Sequence, residues 1–169
     1  QDILGRGQVE PDVELMEQNI KNKNILVTGA GGSIGSELCM QIINYLPDNL
    51  VLFEQNEYAL YNIENKLKDL KIKSNVIVSV LGNICNRSQI ENVIKKYEIN
   101  TIYHAAAFKH VPMVEKNIVE AFQNNVIGTL NCAELALKFK LDNFVLISTD
   151  KAVRPKSYMG ATKRLSEII

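Results

Sequence analysis

The sequence predicts an α/β fold built on a doubly wound parallel sheet, and three observations lead to that prediction. Short apolar runs of strand length alternate through five rounds with runs that have the apolar spacing of a helix. A glycine-rich turn joins the first strand-like run to the first helix-like one. The chain has 169 residues, of which 46% are hydrophobic, and this is enough for one well-filled core. We therefore expect a single domain.

The beginning of the chain differs from the rest. Residues 1–23 are polar, and we interpret them as an N-terminal lead-in segment. It contains one short predicted helix over residues 12–20, which Asp12 caps behind Pro11. The domain itself is expected to cover residues 24–169.

Apolar spacing predicts the remaining elements in order. The predicted strands cover residues 24–28, 50–54, 76–81, 101–107 and 144–148. The first helix follows the glycine turn with the apolar stripe Ile34, Leu38, Ile42 and Ile43; later helices cover residues 58–70, 90–97 and 121–139, and a last one opens near Met159. The alternation favours right-handed crossovers between parallel strands. The pattern stops inside the last helix, which indicates a fragment truncated before a further domain.

Composition excludes several classes of partner. The 19 acidic and 19 basic residues give a formal net charge of zero, so we expect neither a nucleic-acid footprint nor a polybasic membrane surface. Cys39, Cys85 and Cys132 are far apart and lack metal-ligand spacing, which indicates reduced cytoplasmic thiols and no metal site. No apolar run reaches the roughly 18 residues of a membrane span, and the N-terminus is not a signal peptide.

The glycine turn is typical of a dinucleotide site. Gly29, Gly32 and Gly35 allow a tight turn, close approach to a pyrophosphate and packing of helix against strand. The N-terminus of the following helix presents free N–H groups to the anion. The predicted phosphate-binding residues are Gly29, Gly31, Gly32, Ser33, Ile34 and Gly35.

Three later strand ends complete the predicted cofactor site. Glu54 ends the second strand, where a carboxylate accepts hydrogen bonds from the adenosine ribose and repels a 2′-phosphate, so NAD is expected rather than NADP. A solvated strand end is the alternative. Asn83 and Ile84 follow the third strand, where Asn83 either meets adenine or forms a turn. Ala105, Ala106 and Ala107 are small enough for close approach to the cofactor or for tight helix packing.

Five motifs together carry a family resemblance. They are residues 28–35, the run HAAAFKHVP at 104–112, NVIGT at 125–129, LISTDKAVRP at 146–155 and YMGATK at 158–163. With these motifs the chain resembles the extended short-chain dehydrogenase/reductases, and within them the nucleotide-sugar 4,6-dehydratases of bacterial polysaccharide biosynthesis. It is most similar to the large, membrane-anchored UDP-N-acetylglucosamine 4,6-dehydratases. The resemblance extends over nearly the whole chain, including residues 3–6 of the lead-in.

The resemblance implies a Rossmann-like, NAD-binding domain that acts on a UDP-linked sugar together with a C-terminal substrate domain outside this chain. It also implies a homo-oligomer and a cytoplasmic domain whose parent protein is anchored in the bacterial inner membrane by helices absent here. The activity it implies is C5-retaining dehydration of UDP-N-acetylglucosamine to a 4-keto-6-deoxy sugar. The alternatives are a C5-inverting dehydratase, a nucleotide-sugar epimerase and a non-catalytic NAD-binding sensor.

The chemistry of this reaction gives roles to the residues after the fifth strand. Oxidation of C4 by NAD acidifies the C5 proton, water leaves from C5 and C6, and the hydride returns to C6. The resemblance assigns Lys151 as the base at C5, Asp150 as the acid for the C6 hydroxyl and Thr149 as a hydrogen-bond partner near the C4 oxygen. Lys151 must be uncharged for this, which cationic Lys163, the nicotinamide and desolvation favour. Asp150 must hold a proton, so we expect burial to raise its pKa.

Met159 is a departure from the wider superfamily, whose Tyr-x-x-x-Lys motif places a phenol at that position. Lys163 keeps its place and is expected to bind the nicotinamide ribose. Tyr158 points about 100° away on a helix and does not substitute. We expect Asp150, or a water held by Thr149, to take the C4 proton, and Met159 favours the retaining type.

The loop after the fourth strand contributes two further candidates. Lys109 and His110 face the ligand crevice and are predicted to bind substrate, with organisation of the loop as the alternative for both. His104, inside the strand, is predicted to be a core histidine. Asn125 is predicted to tie the long helix to the fourth strand.

Overall fold

The computed structural model describes residues 13–70 and 76–169. The Asp12 cap and the motif at residues 3–6 lie outside these ranges. Helices are α1 Val13–Ile20, α2 Ser33–Ile42, α3 Glu57–Asp69, α4 Arg87–Lys96, α5 Val111–Lys116, α6 Ile118–Phe122, α7 Gly128–Lys138 and α8 Tyr158–Ile168. Strands are β1 Asn24–Thr28, β2 Asn49–Glu54, β3 Ile77–Leu81, β4 Thr101–His104 and β5 Asn143–Leu146. Short 3-10 turns occupy Ile43–Tyr45 and Asp150–Ala152, and a π turn occupies Gln123–Ile127.

The five strands form one parallel sheet in the order β3-β2-β1-β4-β5. This confirms the predicted doubly wound α/β fold. The chain runs outward from β1 to β3 and then returns to the other side of β1 as β4. The crevice at the carboxyl ends of β1 and β4 is therefore the point where the strand order reverses, which is where such sheets bind ligands.

Alternate residues of the strands supply two cores, one on each face of the sheet. On one face Ile25 and Val27 pack with α1, α2 and α3. On the other face Leu26 and Ile102 pack with α4 and α7. Strands covered on both faces read as continuous apolar runs, which is why their positions could be predicted.

Two of the three cysteines are buried among apolar residues. Cys39 and Cys132 are fully buried in the two cores, and all three thiols are free. Burial raises the pKa of Cys39 above that of an ordinary thiol and raises the pKa of Cys132 to about 12. Thiols held in the protonated form this strongly are poor nucleophiles.

Two strands end earlier than predicted. β4 ends at His104 rather than residue 107, and β5 ends at Leu146 rather than residue 148. The backbone leaves the sheet because side chains take up its polar groups: Asn125 bonds both backbone groups of Phe108, and Lys163 bonds the carbonyl of Ile147.

The helical region before β5 also differs from the prediction. The helix expected over residues 121–139 begins earlier, at Ile118, and a π turn divides it into α6 and α7. The short helix α5 was not predicted, and its proline lies in the first turn, where proline is tolerated.

Within residues 13–70 and 76–169, none of the helices combines the length and hydropathy needed to cross a membrane. The same ranges contain no group of three or more His, Cys, Asp or Glu side chains that could hold a metal ion.

Candidate functional site

A cavity opens at the carboxyl edge of the sheet, where the strand order reverses. It lies between the glycine turn after β1, the end of β2 and the loop after β4. Its lining residues are Gly29, Gly31, Gly32, Phe53, Glu54, Gln55, Asn56, Ala59, Gly82, Ile84, Ala105, Ala106, Ala107, Phe108 and Asn124. Eight of the predicted cofactor residues are among them: Gly29, Gly31, Gly32, Glu54, Ile84, Ala105, Ala106 and Ala107.

Gly29 fixes the shape of the glycine turn. Its backbone is left-handed, with φ of +67°, and a Cβ built there would lie 2.7 Å from the backbone of Ala106. The turn after β1 and the loop after β4 therefore touch backbone to backbone. The three alanines both line the cavity and allow this tight packing, so their two interpretations are compatible.

The N-terminus of α2 lies beside the turn. Among the described residues, the N–H groups of Ser33 and Ile34 have no hydrogen-bond partner, as expected for the first residues of a helix. Both side chains are exposed, whereas Gly35 is buried against the carbonyl of Gly29. These three predicted residues lie outside the cavity lining, and an anion at this helix end would be bound by backbone N–H groups rather than by side chains.

Glu54 is buried at the end of β2 and joins two walls of the cavity. Its Oε2 accepts a hydrogen bond from the N–H of Gly31 at 3.1 Å, and its Oε1 accepts one from the N–H of Asn56 at 3.0 Å. Only 9% of the residue is exposed, so the alternative of a solvated strand end is wrong. The remaining lone pairs of the carboxylate are free to accept from a diol.

Asn83 forms a turn. Its Oδ1 accepts a hydrogen bond from the N–H of Cys85 at 2.8 Å, and the residue is exposed and outside the cavity lining. This geometry favours the turn-forming interpretation. Ile84 is buried and lines the cavity, and its carbonyl accepts a hydrogen bond from Asn131 at 3.2 Å.

The cavity also contains residues that the sequence did not indicate. Phe53, Gln55, Asn56, Ala59, Gly82, Phe108 and Asn124 were not predicted. Phe53, Gln55, Gly82 and Phe108 are immediate sequence neighbours of predicted residues, which was the available signal. Asn124 depends on the π turn, which shifts helical spacing by one residue and leaves no trace in an apolar pattern.

Thr149, Asp150 and Lys151 form a turn at the end of β5, farther along the same sheet edge. The Thr149 hydroxyl donates to Asp150 Oδ1 at 3.0 Å, and the Lys151 ammonium lies 3.7 Å from the same oxygen. The side chains of Lys151 and Asp150 are 57% and 89% exposed. The structure thus brings these three residues together with one another, outside the lining of the glycine-turn cavity.

The expected raised pKa of Asp150 is not observed. The hydrogen bond from Thr149, followed by the positive charge of Lys151, lowers the pKa of Asp150. The prediction assumed an enclosed carboxyl group, whereas the described residues leave this one open to solvent.

Lys163 contacts the exit of β5, two residues before this turn. It is buried, and its ammonium donates to the carbonyl of Ile147 at 2.7 Å. Burial lowers the pKa of Lys163, and the negative charge of Glu167 offsets part of that effect.

Met159 packs into a small apolar cluster. It is 3% exposed and contacts Val114 and Ala121, where a thioether serves only as a hydrophobic group. The neighbouring Tyr158 is 52% exposed, and its N–H donates to Glu115 at 2.8 Å.

Lys109 reaches toward the glycine turn. Its ammonium donates a long hydrogen bond of 3.4 Å to the hydroxyl of Ser33, the first residue of α2. His110 is exposed and precedes α5 as its N-cap residue, without a capping hydrogen bond from its side chain. The structure places Lys109 near the backbone predicted to bind phosphate, and His110 on the surface next to it in sequence.

His104 is a core residue, as predicted. It is 1% exposed, and burial, followed by the charge of Lys163, lowers its pKa to about 3. Thr129 donates its hydroxyl hydrogen to the carbonyl of Asn125 at 2.6 Å, so it accepts from His104 Nε2 at 3.0 Å. His104 Nδ1 then accepts from the hydroxyl of Thr28 at 2.7 Å. The histidine is therefore neutral, with its proton on Nε2.

Asn125 joins the π turn to both the β4 loop and α8. Its side chain accepts from the N–H of Phe108 at 2.7 Å and donates to the carbonyl of Phe108 at 3.0 Å. It also donates to the hydroxyl of Thr162 at 3.0 Å. The predicted tie is observed, although it reaches the loop after β4 rather than the strand itself, and it extends to the helix that carries Lys163.

Comparisons with known proteins agree with this arrangement. A family model described as polysaccharide biosynthesis protein matches residues 25–169. The capsular polysaccharide biosynthesis protein CapD of Staphylococcus aureus is 44% identical over 169 residues, which are 100% of this chain and 28% of that protein. A UDP-N-acetylglucosamine 4,6-dehydratase (inverting) of Campylobacter jejuni is 28% identical over 146 residues, 86% of this chain and 42% of that enzyme.

Among solved structures, the chain is similar to Pen from Bacillus thuringiensis. The two share 29% identity with a TM-score of 0.82, and the match covers 89% of this chain and 46% of Pen. The chain thus spans less than half the length of each of these relatives.

Proposed function

The chain belongs to the polysaccharide biosynthesis protein family within the extended short-chain dehydrogenase/reductases, and from that premise we propose that it supplies the cofactor-binding and proton-transferring part of a nucleotide-sugar 4,6-dehydratase. The observation that carries the proposal is the acid–base pair Asp150–Lys151 on the same sheet edge as the glycine-turn cavity. A module that only binds a dinucleotide needs the cavity but not this pair.

The cofactor is NAD. Support comes from the fit of the cavity: the close approach at Gly29 leaves room only for backbone, the end of α2 offers free N–H groups, and the buried Glu54 would bond ribose hydroxyls and repel a 2′-phosphate. The cofactor would accept a hydride from C4 of the sugar and return one at C6. Lys163 is the candidate for the nicotinamide ribose.

Lys109 is proposed to hold a phosphate. The Lys109 ammonium, at the Ser33 hydroxyl, lies over the positive end of α2. Since the charged residue in the cavity lining is the acidic Glu54, Lys109 would supply positive charge from outside that lining. A dinucleotide pyrophosphate, or the diphosphate of a UDP-sugar at the mouth of the crevice, would be attracted to this point. His110 is the second substrate candidate.

The proton transfers are assigned to the turn after β5. Lys151 removes the C5 proton, Asp150 protonates the departing C6 hydroxyl, and Thr149 hydrogen-bonds near the C4 oxygen. The side chains of Lys151 and Asp150 are exposed to solvent, and both need a less polar environment for these roles. A sugar lying over the turn would exclude water, which favours neutral Lys151 and protonated Asp150.

The substrate we favour is UDP-N-acetylglucosamine, with retention at C5, for bacterial surface polysaccharide or glycan synthesis. The Campylobacter relative named for this substrate is an inverting enzyme. Retention is inferred from the family resemblance, in which a methionine at this position accompanies the retaining type. The buried thioether of Met159 cannot take a proton, so the C4 proton would pass to an ionised Asp150, which then holds the proton that it gives to the C6 hydroxyl, or to a water on Thr149.

The domain organisation belongs to the same proposal. Residues 24–169 would form the NAD-binding domain, and a C-terminal domain of the parent protein would clamp the UDP-sugar against the carboxyl edge. Spanning helices before the lead-in and assembly into a homo-oligomer are further parts of this picture.

The test is incubation of the complete gene product with UDP-N-acetylglucosamine, followed by mass spectrometry and NMR. The proposal expects a product that has lost one water and carries a 4-keto-6-deoxy ring, with NAD retained by the protein. Unchanged sugar together with firmly bound NAD would support a non-catalytic sensor instead.

A further inference from the structure

One face of α8 holds the turn that carries Asp150 and Lys151. Lys163 Nζ donates to the carbonyl of Ile147, and Glu167 Oε1 accepts from the hydroxyl of Ser148 at 2.5 Å. Ile147 and Ser148 are the two residues between β5 and the turn. The exit of the strand is thus bonded to α8 at two consecutive positions.

Gly160 on the same helix brings α8 against the turn itself. A Cβ built at Gly160 would lie 2.4 Å from the carbonyl oxygen of Lys151, so the two backbones are in direct contact. Gly160, Lys163 and Glu167 are spaced three and four residues apart and fall within about 60° of one another around the helix. A single helical face therefore contacts the strand exit at two points and the turn itself at one.

Glu167 has no role in the reaction proposed above, yet both of its carboxylate oxygens accept hydrogen bonds. Oε1 accepts from Ser148, and Oε2 accepts from Arg164 at 2.9 Å. These two bonds fix the carboxylate, and Arg164 lies on the same helix one turn earlier. Ser148 is consequently attached to a held acceptor rather than to a mobile side chain.

We propose that Glu167 is a positioning residue that acts through Ser148 to hold Thr149, Asp150 and Lys151 in register with the substrate. This rests on the proposed dehydratase function, because the residues positioned are its acid and base. Glu167 is not among the residues that line the glycine-turn cavity. Displacement of reacting groups by about 1 Å can cost a hundredfold in rate, so loss of this bond should lower kcat.

The experiment compares variants of the complete gene product: Glu167→Ala, Glu167→Gln, Ser148→Ala and the double variant Ser148→Ala/Glu167→Ala. Glu134→Ala is the matched control, because Glu134 is an exposed glutamate of α7 that forms an ion pair with Arg87 of α4. Each is measured for kcat, KM, bound NAD and amide hydrogen exchange in residues 147–153.

Glu167→Ala and Ser148→Ala should each lower kcat by roughly tenfold or more, with KM, NAD content and the melting temperature close to those of the parent. The double variant should be no slower than either single variant, because both remove one bond. Glu167→Gln keeps an acceptor for Ser148 and should restore kcat to within about threefold. Exchange in residues 147–153 should accelerate in Glu167→Ala but not in Glu134→Ala.

Three results would overturn the inference: kcat of Glu167→Ala within twofold of the parent, multiplicative losses in the double variant, or unchanged exchange in residues 147–153. The exchange measurement does not depend on turnover. If the unsubstituted protein forms no keto sugar, the proposed dehydratase function is wrong. Amide hydrogen exchange in residues 147–153 still tests whether Glu167 holds the turn.

Discussion

The Glu54 carboxylate accepts a hydrogen bond from the Gly31 N–H at 3.1 Å, which joins the end of β2 to the glycine turn. Its second oxygen bonds the N–H of Asn56, the N-cap residue of α3. One buried side chain therefore fixes two walls of the candidate NAD cavity and places its charge between them.

Replacing Glu54 by Gln should weaken NAD binding. The amide turns one acceptor into a donor, and that donor then faces a backbone N–H of Gly31 or Asn56. A lost charge-assisted hydrogen bond costs about 1.5–3 kcal/mol, so the Kd for NAD should rise about tenfold or more, and discrimination against NADP should decrease. Titration calorimetry with both cofactors measures this. Glu57→Gln, in the exposed first turn of α3, is the control, and unchanged affinity and preference in Glu54→Gln would refute the assignment.

Gly29→Ala should destabilise the protein and abolish NAD retention. The new Cβ would meet the Ala106 backbone at 2.7 Å at a residue with φ of +67°. Left-handed strain alone costs about 1–3 kcal/mol, and the clash adds to it. Gly32→Ala is the matched control, because its φ is −71° and a Cβ there meets only the Gly29 carbonyl at 3.3 Å. Urea unfolding should show a loss of about 1 kcal/mol or less for Gly32→Ala; equal losses in the two variants would contradict the steric argument.

Stability should fall as the pH decreases below about 6.5, because of His104. Its pKa is lowered to about 3 in the folded protein, whereas an unfolded histidine titrates near 6.5. The unfolded state therefore binds the proton first, and the free energy of unfolding should decrease by about 1.4 kcal/mol per pH unit between about pH 6 and pH 4.5.

Urea unfolding across that interval, with His104→Gln as the comparison, measures this contribution. The amide of glutamine can accept from Thr28 and donate to Thr129 but does not titrate. The variant should lose most of the slope between about pH 6 and pH 5, because carboxylates such as Glu91, whose pKa is lowered to about 2 in the folded protein, contribute mainly below pH 5. A slope equal to that of the parent would show that His104 is not responsible.

Lys151→Ala should lower kcat by about a hundred- to ten-thousandfold, the usual contribution of a general base, while NAD binding stays intact. The affinity for NAD should not change, because Lys151 is exposed and lies outside the lining of the cavity. Lys156→Ala, an exposed lysine five residues farther along the chain, is the control for loss of surface charge. Normal turnover of Lys151→Ala would remove the base from the proposed mechanism.

The cavity could be predicted from sequence because it depends on strand ends. Parallel strands place their carboxyl ends on one edge, so Gly29, Glu54 and the three alanines had to lie close together once the strands were identified. His104 and Asn125 were also predicted correctly, since each follows from its position on an element already assigned.

Contacts between distant loops could not be predicted in this way. Two examples are the hydrogen bonds from Lys109 to Ser33 and from Ser148 to Glu167. Both depend on the paths of loops, which apolar periodicity does not encode. The shift in the pKa of Asp150 was predicted in the wrong direction, because that direction depends on whether the carboxyl group is buried. The described residues leave that carboxyl group exposed, and no local pattern reports how far a turn is covered.

The most direct test of a hydride that leaves C4 and returns to C6 uses UDP-N-acetylglucosamine deuterated at C4. The complete gene product should convert it to a 4-keto-6-deoxy sugar that carries the deuterium at C6, without net reduction of NAD. A dehydrated product that lacks deuterium at C6, or unchanged sugar with the label still at C4, would contradict the proposed function.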